Sequence, residues 1–553
     1  MRKGLHHRSL PYSHRKDQQI MKDLRPPSVQ SCQRQENRRM SEKKFLFSRA
    51  GIQRIFQKTA QCDFKAGNRS HIVAAPSYKH KCGKSKESQP CQQSQTNGNL
   101  TEMFDERDKI PVVGNHLAEE WEKINFETRV MGLLMPMPFQ VITTFEQLAA
   151  SDPALATKYL YNLSVNSNYI RKVDIDKNIG WKVANPRGDI MITINLSKPE
   201  KDPKAILAAK NAPQTAYPKC MLCKECVGFS GNAARPARQT LRTIPIILNN
   251  EVWHFQFSPY VYFENHCIAL SDEHRPMHID ADTFERMFDF VELFPDYFIG
   301  SNADLPIVGG SILSHDHYQG GSKVLPEMSA PSKKFFTHSS FENVKVSIVD
   351  WYNSVIRLEG KDRKEVKELA AHILKCWREY SDKNVDISAK TRNEPHNTVT
   401  PIARFNDENH YVIDMILRNN RTDKAHPFGI FHPTEDLHNI KKEGIGIIEA
   451  LGLFILPGRL ASEAHGIRDI LTGKTPLDFK ALSVEGNPLS KHIGMIAQLA
   501  NDFGTSLTEE EAATRVTDYI NDACVRILDC TAVFKHDEKG EQAFDRFMTY
   551  CGF

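Results

Sequence analysis

No run of about 18 apolar residues occurs in the 553-residue chain, so no segment has the length to cross a bilayer as a helix. The first residues are basic but no apolar stretch follows them, which argues against a secretory signal, and a cytoplasmic location is expected. A fixed-period repeat is also lacking. No second C-x-x-C follows Cys220-Met221-Leu222-Cys223, which excludes a four-cysteine zinc ribbon. The 12 cysteines are expected as reduced thiols, because a chain of this length without an export signal does not suit a disulfide framework. Charge of one sign is missing overall, at +4, but not locally. Of 72 basic and 68 acidic residues, 21 and 6 fall in residues 1–100, leaving 51 and 62 beyond. A basic segment precedes an acidic body, so the pooled charge says nothing about the body's partners.

Residues 1–110 are rich in Gln, Ser, Lys, Arg and His and hold too little apolar surface to offset the entropy of ordering. They are read as a basic, disordered or non-family extension. From about residue 115 the texture changes. Helical spacing of apolar residues appears at 117–124 and 145–171, and a β-rich run at 190–196 ends in Ser197-Lys198-Pro199. Further strands are expected at 243–248, 253–257 and 267–270, with an amphipathic helix at 282–293 and a strand leading into Gly309-Gly310. The second half continues the same mixture, with a strand near 345–350, a helix at 363–380, strands near 398–405 and 410–418, and a helix at 440–453. Thr508 and Glu511 have capping-box spacing before a long final helix. Strands that mostly follow one another, with helices between, predict an α+β fold with open antiparallel sheets and peripheral helices.

The chemistry concentrates in Gly309-Gly310-Ser311-Ile312-Leu313-Ser314-His315-Asp316-His317-Tyr318-Gln319-Gly320-Gly321. In an extended strand His315, His317 and Gln319 share one face, and Asp316 and Tyr318 the other. Glycines on both sides allow a ligand to approach the backbone closely. An imidazole is substantially neutral near pH 7 and suits nucleophilic attack on phosphorus. An amide two positions on can donate to a phosphoryl oxygen but cannot act as an acid or base. The pair Cys220 and Cys223 supplies two soft ligands, which leaves histidines to complete a tetrahedral site, from among His266, His274, His278 and His315. Cys226 is close enough to compete.

These segments resemble the galactose-1-phosphate uridylyltransferases, most closely the second, bacterial family of UDP-glucose–hexose-1-phosphate uridylyltransferases within the histidine-triad-like group. The H-x-H-x-Q of His315, His317 and Gln319 carries the likeness. So do residues 297–321, 220–225 (CMLCKE), 195–204, 394–404 (EPHNTVTPIAR), 417–422 (LRNNRT) and 429–459. The resemblance covers roughly residues 125–500. It implies an N-terminal transferase domain at 111–330 and a C-terminal one at 331–553. It implies ping-pong transfer of UMP from UDP-glucose to galactose 1-phosphate, with His317 as nucleophile and Gln319 as phosphoryl hydrogen-bond donor. Asn302, Ser311 and Arg238 would bind substrate, and Cys220, Cys223, His274 and His315 would hold a structural Zn2+. The implied partners are UDP-glucose and galactose 1-phosphate, with no membrane and no nucleic acid, and with homodimerisation left open. The rival readings are a related nucleotidyl phosphorylase or transferase of the same group, and a zinc-containing nucleic-acid-binding protein using the basic segment. Several positions depart from the family pattern. Gly231-Asn232-Ala233-Ala234-Arg235-Pro236-Ala237-Arg238 stands for G-R-x-x-H-P-A-R. Cys226 stands where asparagine is common and Ser322 where histidine is expected, and no second H-x-H lies in the C-terminal half.

Overall fold

The computed structural model describes residues 120–197, 217–232, 235–310 and 312–553. The basic segment 1–110, most of the 195–204 stretch and Ser311 lie outside them. Among the described residues no helix is long and apolar enough to cross a membrane.

The helical start consists of α1 (Glu120–Leu134), α2 (Pro138–Ala149) and α3 (Pro153–Asn166). The single helical stretch expected over 145–171 is therefore divided. Asp152 caps α3 by accepting from Ala154 N at 2.8 Å, and Pro153 fits the first turn because it has no N–H to satisfy. Strands β1 (Ile179–Val183) and β2 (Ile190–Asn195) then pair antiparallel.

Ten strands form the main sheet. The first five are β3 (Ile244–Leu248), β4 (Glu251–Phe257), β5 (Cys267–Ser271), β6 (Phe298–Gly300) and β7 (His317–Gly321). Asn249 and Asn250 join β3 to β4 with φ of 48° and 60°, the left-handed pair that matches the twist of a two-residue hairpin. The second five are β8 (Ser332–Phe336), β9 (Lys345–Val349), β10 (Val355–Gly360) and, after a short hairpin of β11 (Lys390–Thr391) and β12 (Glu394–Pro395), β13 (Asn397–Phe405) and β14 (Tyr411–Asn419). The spatial order is β3-β4-β5-β7-β6-β13-β14-β10-β9-β8, and every pairing is antiparallel.

That order contains a repeat of winding without a repeat of sequence. Each half is a three-strand meander, then a helix, then two strands of which the later one inserts beside the third. The helices are α4 (Ala281–Leu293) and α5 (Arg363–Glu379). The halves meet edge to edge where β6 pairs with β13. Asp280 caps α4 by accepting from Thr283 N at 3.0 Å, and Asp362 caps α5 by accepting from Lys364 N at 2.7 Å. Arg363 ties the helices together by reaching Glu285, Asp289 and Glu292 at 2.7, 2.6 and 2.9 Å.

The expectation of a strand leading directly into Gly309-Gly310 is corrected: β6 stops at Gly300 and an irregular segment follows. The helix expected over 440–453 is also corrected. Only Ile447–Ala450 is helical, and Leu453–Pro457 is strand β15, parallel to β2. Gly452 has φ of +89° and separates the two. Ile447, Leu451, Phe454 and Leu456 still enter a core, with Trp351, Ile402 and Ile416 and with residues from α6 (Arg459–Leu471), α7 (Ile493–Phe503) and α8 (Glu509–Thr531). The Thr508 capping box before α8 forms as read from the sequence.

Candidate active site

The register around β7 decides which side chains meet. Gln319 lies opposite Ile268 of β5 and Gly300 of β6, and His317 opposite Leu270. His317 and Gln319 face a cleft of about 550 Å³. Tyr318 points to the reverse side and stacks on Trp253, with ring centres 4.7 Å apart, and Asp316 there faces Arg275 at 3.5 Å. The alternation inferred from the sequence holds for these four residues. It fails for His315, which precedes β7 and does not line the cleft; its ring turns to the cysteines, where strand geometry no longer governs direction.

His317 is 6% exposed, and burial pushes its imidazole down to about 4, so the ring is neutral at pH 7. Its Nδ1–H donates to the carbonyl oxygen of His315 at 2.8 Å. With the proton held there, Nε2 keeps its lone pair, which is the state a nucleophile needs. The Gln319 Oε1 accepts from His266 Nε2 at 3.1 Å, and the amide nitrogen has no hydrogen-bond partner among the described residues.

The glycines have two separate uses. Gly309 and Gly310 line the cleft. A Cβ on Gly320 would sit 2.3 Å from the Phe298 carbonyl oxygen, so that glycine permits close strand approach, not ligand approach.

Arg238 lines the cleft and lies 5.7 Å from the centre of the Tyr169 ring. Asn302 also lines it, with Oδ1 accepting from Ile447 N at 2.9 Å, which links the wall made by the first half to the 443–449 segment of the second. Ser311 lies outside the described residues. Of the departing positions, Arg235 donates to the Pro218 carbonyl, and Ser322 Oγ accepts from Asn265 Nδ2 at 2.8 Å.

Cys220, Cys223, His274 and His315 converge, with one ligand atom from each within 4.8 Å of all the others. The two sulfurs are 3.6 Å apart, Cys220 Sγ is 3.3 Å from His315 Nδ1, and Cys223 Sγ is 3.2 Å from His274 Nδ1. The edges of a tetrahedron with ordinary zinc–ligand bonds are about 3.8 Å between sulfurs and about 3.5 Å from sulfur to nitrogen. The donor set thus fits a tetrahedral divalent ion. His315 Nε2–H donates to the Ser271 carbonyl at 2.9 Å, which leaves Nδ1 free as a ligand. Burial pushes the Cys220 thiol up to about 12, so a cation is what would hold it as thiolate near neutral pH. The competing candidates go elsewhere. Cys226 Sγ donates to the carbonyls of Cys220 and Met221, His278 faces Asp304 at 3.7 Å, and His266 belongs to Gln319.

Sequence reasoning did not find His266 as a partner of Gln319, nor Glu449, which lines the cleft and accepts from Lys441 at 2.9 Å. The β5–β7 pairing brings His266 in from 53 residues away, and no short-range spacing marks it.

Residues 87–276 match the family model for the galactose-1-phosphate uridyl transferase N-terminal domain, and residues 290–468 the model for the C-terminal domain. The first match reaches back into the segment read as an extension. A galactose-1-phosphate uridylyltransferase of Caldanaerobacter subterraneus subsp. tengcongensis is 51% identical over 432 residues, 77% of this chain and 83% of that protein. Proteins of the same name from Fusobacterium nucleatum and Bacillus subtilis are 48% and 47% identical, each over 77% of this chain and over 84% and 82% of their own lengths. The crystal structure of yeast Ap4A phosphorylase Apa2 covers 54% of this chain and 85% of its own at 11% identity, with a TM-score of 0.31, too distant to argue from.

Proposed function

This chain belongs to the galactose-1-phosphate uridyl transferase family, and on that premise we propose that His317 carries UMP from UDP-glucose to galactose 1-phosphate. The observation that carries the reading is the hydrogen bond from His317 Nδ1 to the His315 carbonyl, which leaves a neutral ring with Nε2 free in the cleft.

Nε2 attacks the α-phosphorus of UDP-glucose, the bond to the bridging oxygen breaks, and glucose 1-phosphate leaves. An oxygen of the galactose 1-phosphate phosphate group then attacks the same phosphorus, Nε2 departs, and UDP-galactose forms. While phosphorus is bonded to Nε2 the ring is cationic, and the His315 carbonyl on Nδ1–H stabilises that charge. The Gln319 amide nitrogen, without a partner among the described residues, donates to a phosphoryl oxygen. A sugar phosphate needs little protonation as it leaves, which suits an amide that supplies no proton. Arg238 and Asn302 line the same cleft, which supports assigning them to substrate binding, with Ser311 assigned there from the sequence alone.

Zn2+ is the ion we assign to Cys220, Cys223, His274 and His315, where it would neutralise the thiolates and cross-link three chain segments. The described cysteines carry free thiols, as a reducing cytoplasm would maintain them.

The test is isotope exchange between glucose 1-phosphate and UDP-glucose with no galactose 1-phosphate present. A two-step reaction through His317 gives exchange in the wild type and none in His317→Ala. Transfer to galactose 1-phosphate without any such exchange would mean direct displacement.

A further inference from the structure

One imidazole in the cleft has no part in the chemistry above. His266 is 2% exposed, and its ring is held by Phe263 and Tyr262, with centres at 4.4 and 5.5 Å. Its Nε2 lies 3.1 Å from Gln319 Oε1, and its buried Nδ1 has no hydrogen-bond partner among the described residues. Burial holds the ring neutral, so it carries one N–H. Were that hydrogen on Nδ1, it would be an orphaned buried donor, which is rare; a lone pair left unused there costs less. The hydrogen therefore sits on Nε2 and donates to Gln319. The amide consequently turns its oxygen toward His266 and its nitrogen, which has no partner among the described residues, the other way.

We propose that His266 is a positioning residue that sets which end of the Gln319 amide meets the reacting phosphoryl group. The inference rests on the reading that Gln319 donates to that group. A swapped amide would set its carbonyl oxygen against phosphoryl oxygens, where charge builds up and a donor is needed. Gln319 alone has no preference between its two flips; the Nε2–H of His266 supplies it.

The experiment compares kcat and KM for UDP-glucose, by exchange with glucose 1-phosphate, in His266→Phe, His266→Gln, Gln319→Leu and the double variant His266→Phe/Gln319→Leu. Phenylalanine keeps the ring and loses the donor. Its expected effect is a fall of about five- to tenfold in kcat, the scale of one hydrogen bond, with KM little changed. His266→Gln places an N–H near the same position and should recover most of the loss. In the Gln319→Leu background His266→Phe should cost nothing further. An equal cost in both backgrounds, or a rise in KM with kcat intact, overturns the positioning role while leaving Gln319 in place. Full kcat in Gln319→Leu instead overturns the reading of Gln319 itself. If His266→Phe does not fold, His266→Asn, whose amide stops short of Gln319, replaces it, and wild-type kcat there likewise overturns the proposal.

Discussion

Cys223→Ala removes the ligand atom at the centre of the thiol–imidazole cluster, 3.6 Å from Cys220 Sγ, 3.2 Å from His274 Nδ1 and 3.8 Å from His315 Nδ1. Two consequences follow by separate routes. The first is loss of the ion and of the folding free energy its binding contributes. Even at a hundredfold excess of ion over its dissociation constant that contribution is about 2.7 kcal/mol, so the melting temperature should fall by several degrees. The second concerns the nucleophile. His315 is both a ligand candidate and the residue whose carbonyl holds His317 Nδ1–H at 2.8 Å. A hydrogen bond to a ring that becomes cationic is worth about 1.5–3 kcal/mol, and losing its alignment should lower kcat by roughly 10- to 100-fold with KM little affected. Elemental analysis, thermal melting and exchange kinetics on one preparation decide both. Full zinc content with an unchanged melting temperature would refute the site. Zinc loss with wild-type kcat would refute the link from the cluster to His317.

Gln319→His should slow transfer and raise the fraction of UMP lost to water, because an imidazole beside the phosphoryl group can do acid–base chemistry near neutral pH; free UMP measured against UDP-galactose checks it, and an unchanged ratio and rate would remove Gln319 from the phosphoryl group. Arg363→Ala should lower stability by about 1–2 kcal/mol in urea unfolding, discounted for partial exposure, since it leaves Glu285, Asp289 and Glu292 facing one another without their shared cation; an unchanged midpoint would contradict the bridge between α4 and α5. Glu327 is fully buried, with both carboxylate oxygens lacking a hydrogen bond among the described residues, and burial and Asp414 raise its pKa. A carboxyl raised on folding contributes stability that is complete below its unfolded pKa and is lost as pH rises through the folded one. Glu327→Gln should therefore flatten the decline in stability from about pH 4.5 upward, and an identical pH–stability curve would contradict that burial effect.

Much of the sheet was legible because its strands are buried on alternate positions, as in Ile244–Leu248, or carry an apolar β-rich run that is buried almost throughout and broken by few polar residues, as in Tyr411–Asn419. The 440–453 segment misled because Ile447, Ile448 and Leu451 have helical spacing. Gly444, Gly446 and Gly452 divide it, and the apolar residues serve a short turn of helix and then a strand. At the site, H-x-H-x-Q and C-x-x-C were visible because each lies within five residues. The direction of His315 was not, since it depends on where β7 begins. His266 and the Asn302–Ile447 link arise from contacts across 53 and 145 residues, set by strand register and by the joining of two half-sheets. The two halves share their winding but not their spacing, so the sequence shows a similar mixture of elements in each and no periodic repeat.

The central claim, that His317 carries UMP, is tested most directly by incubating the protein with UDP-glucose labelled in the uridine, quenching without acid, digesting and locating the label. The expected result is an acid-labile UMP adduct on the peptide carrying His317, discharged as UDP-galactose when galactose 1-phosphate is added and missing from His317→Ala. Label on any other residue, or active protein that never carries label, would contradict the claim.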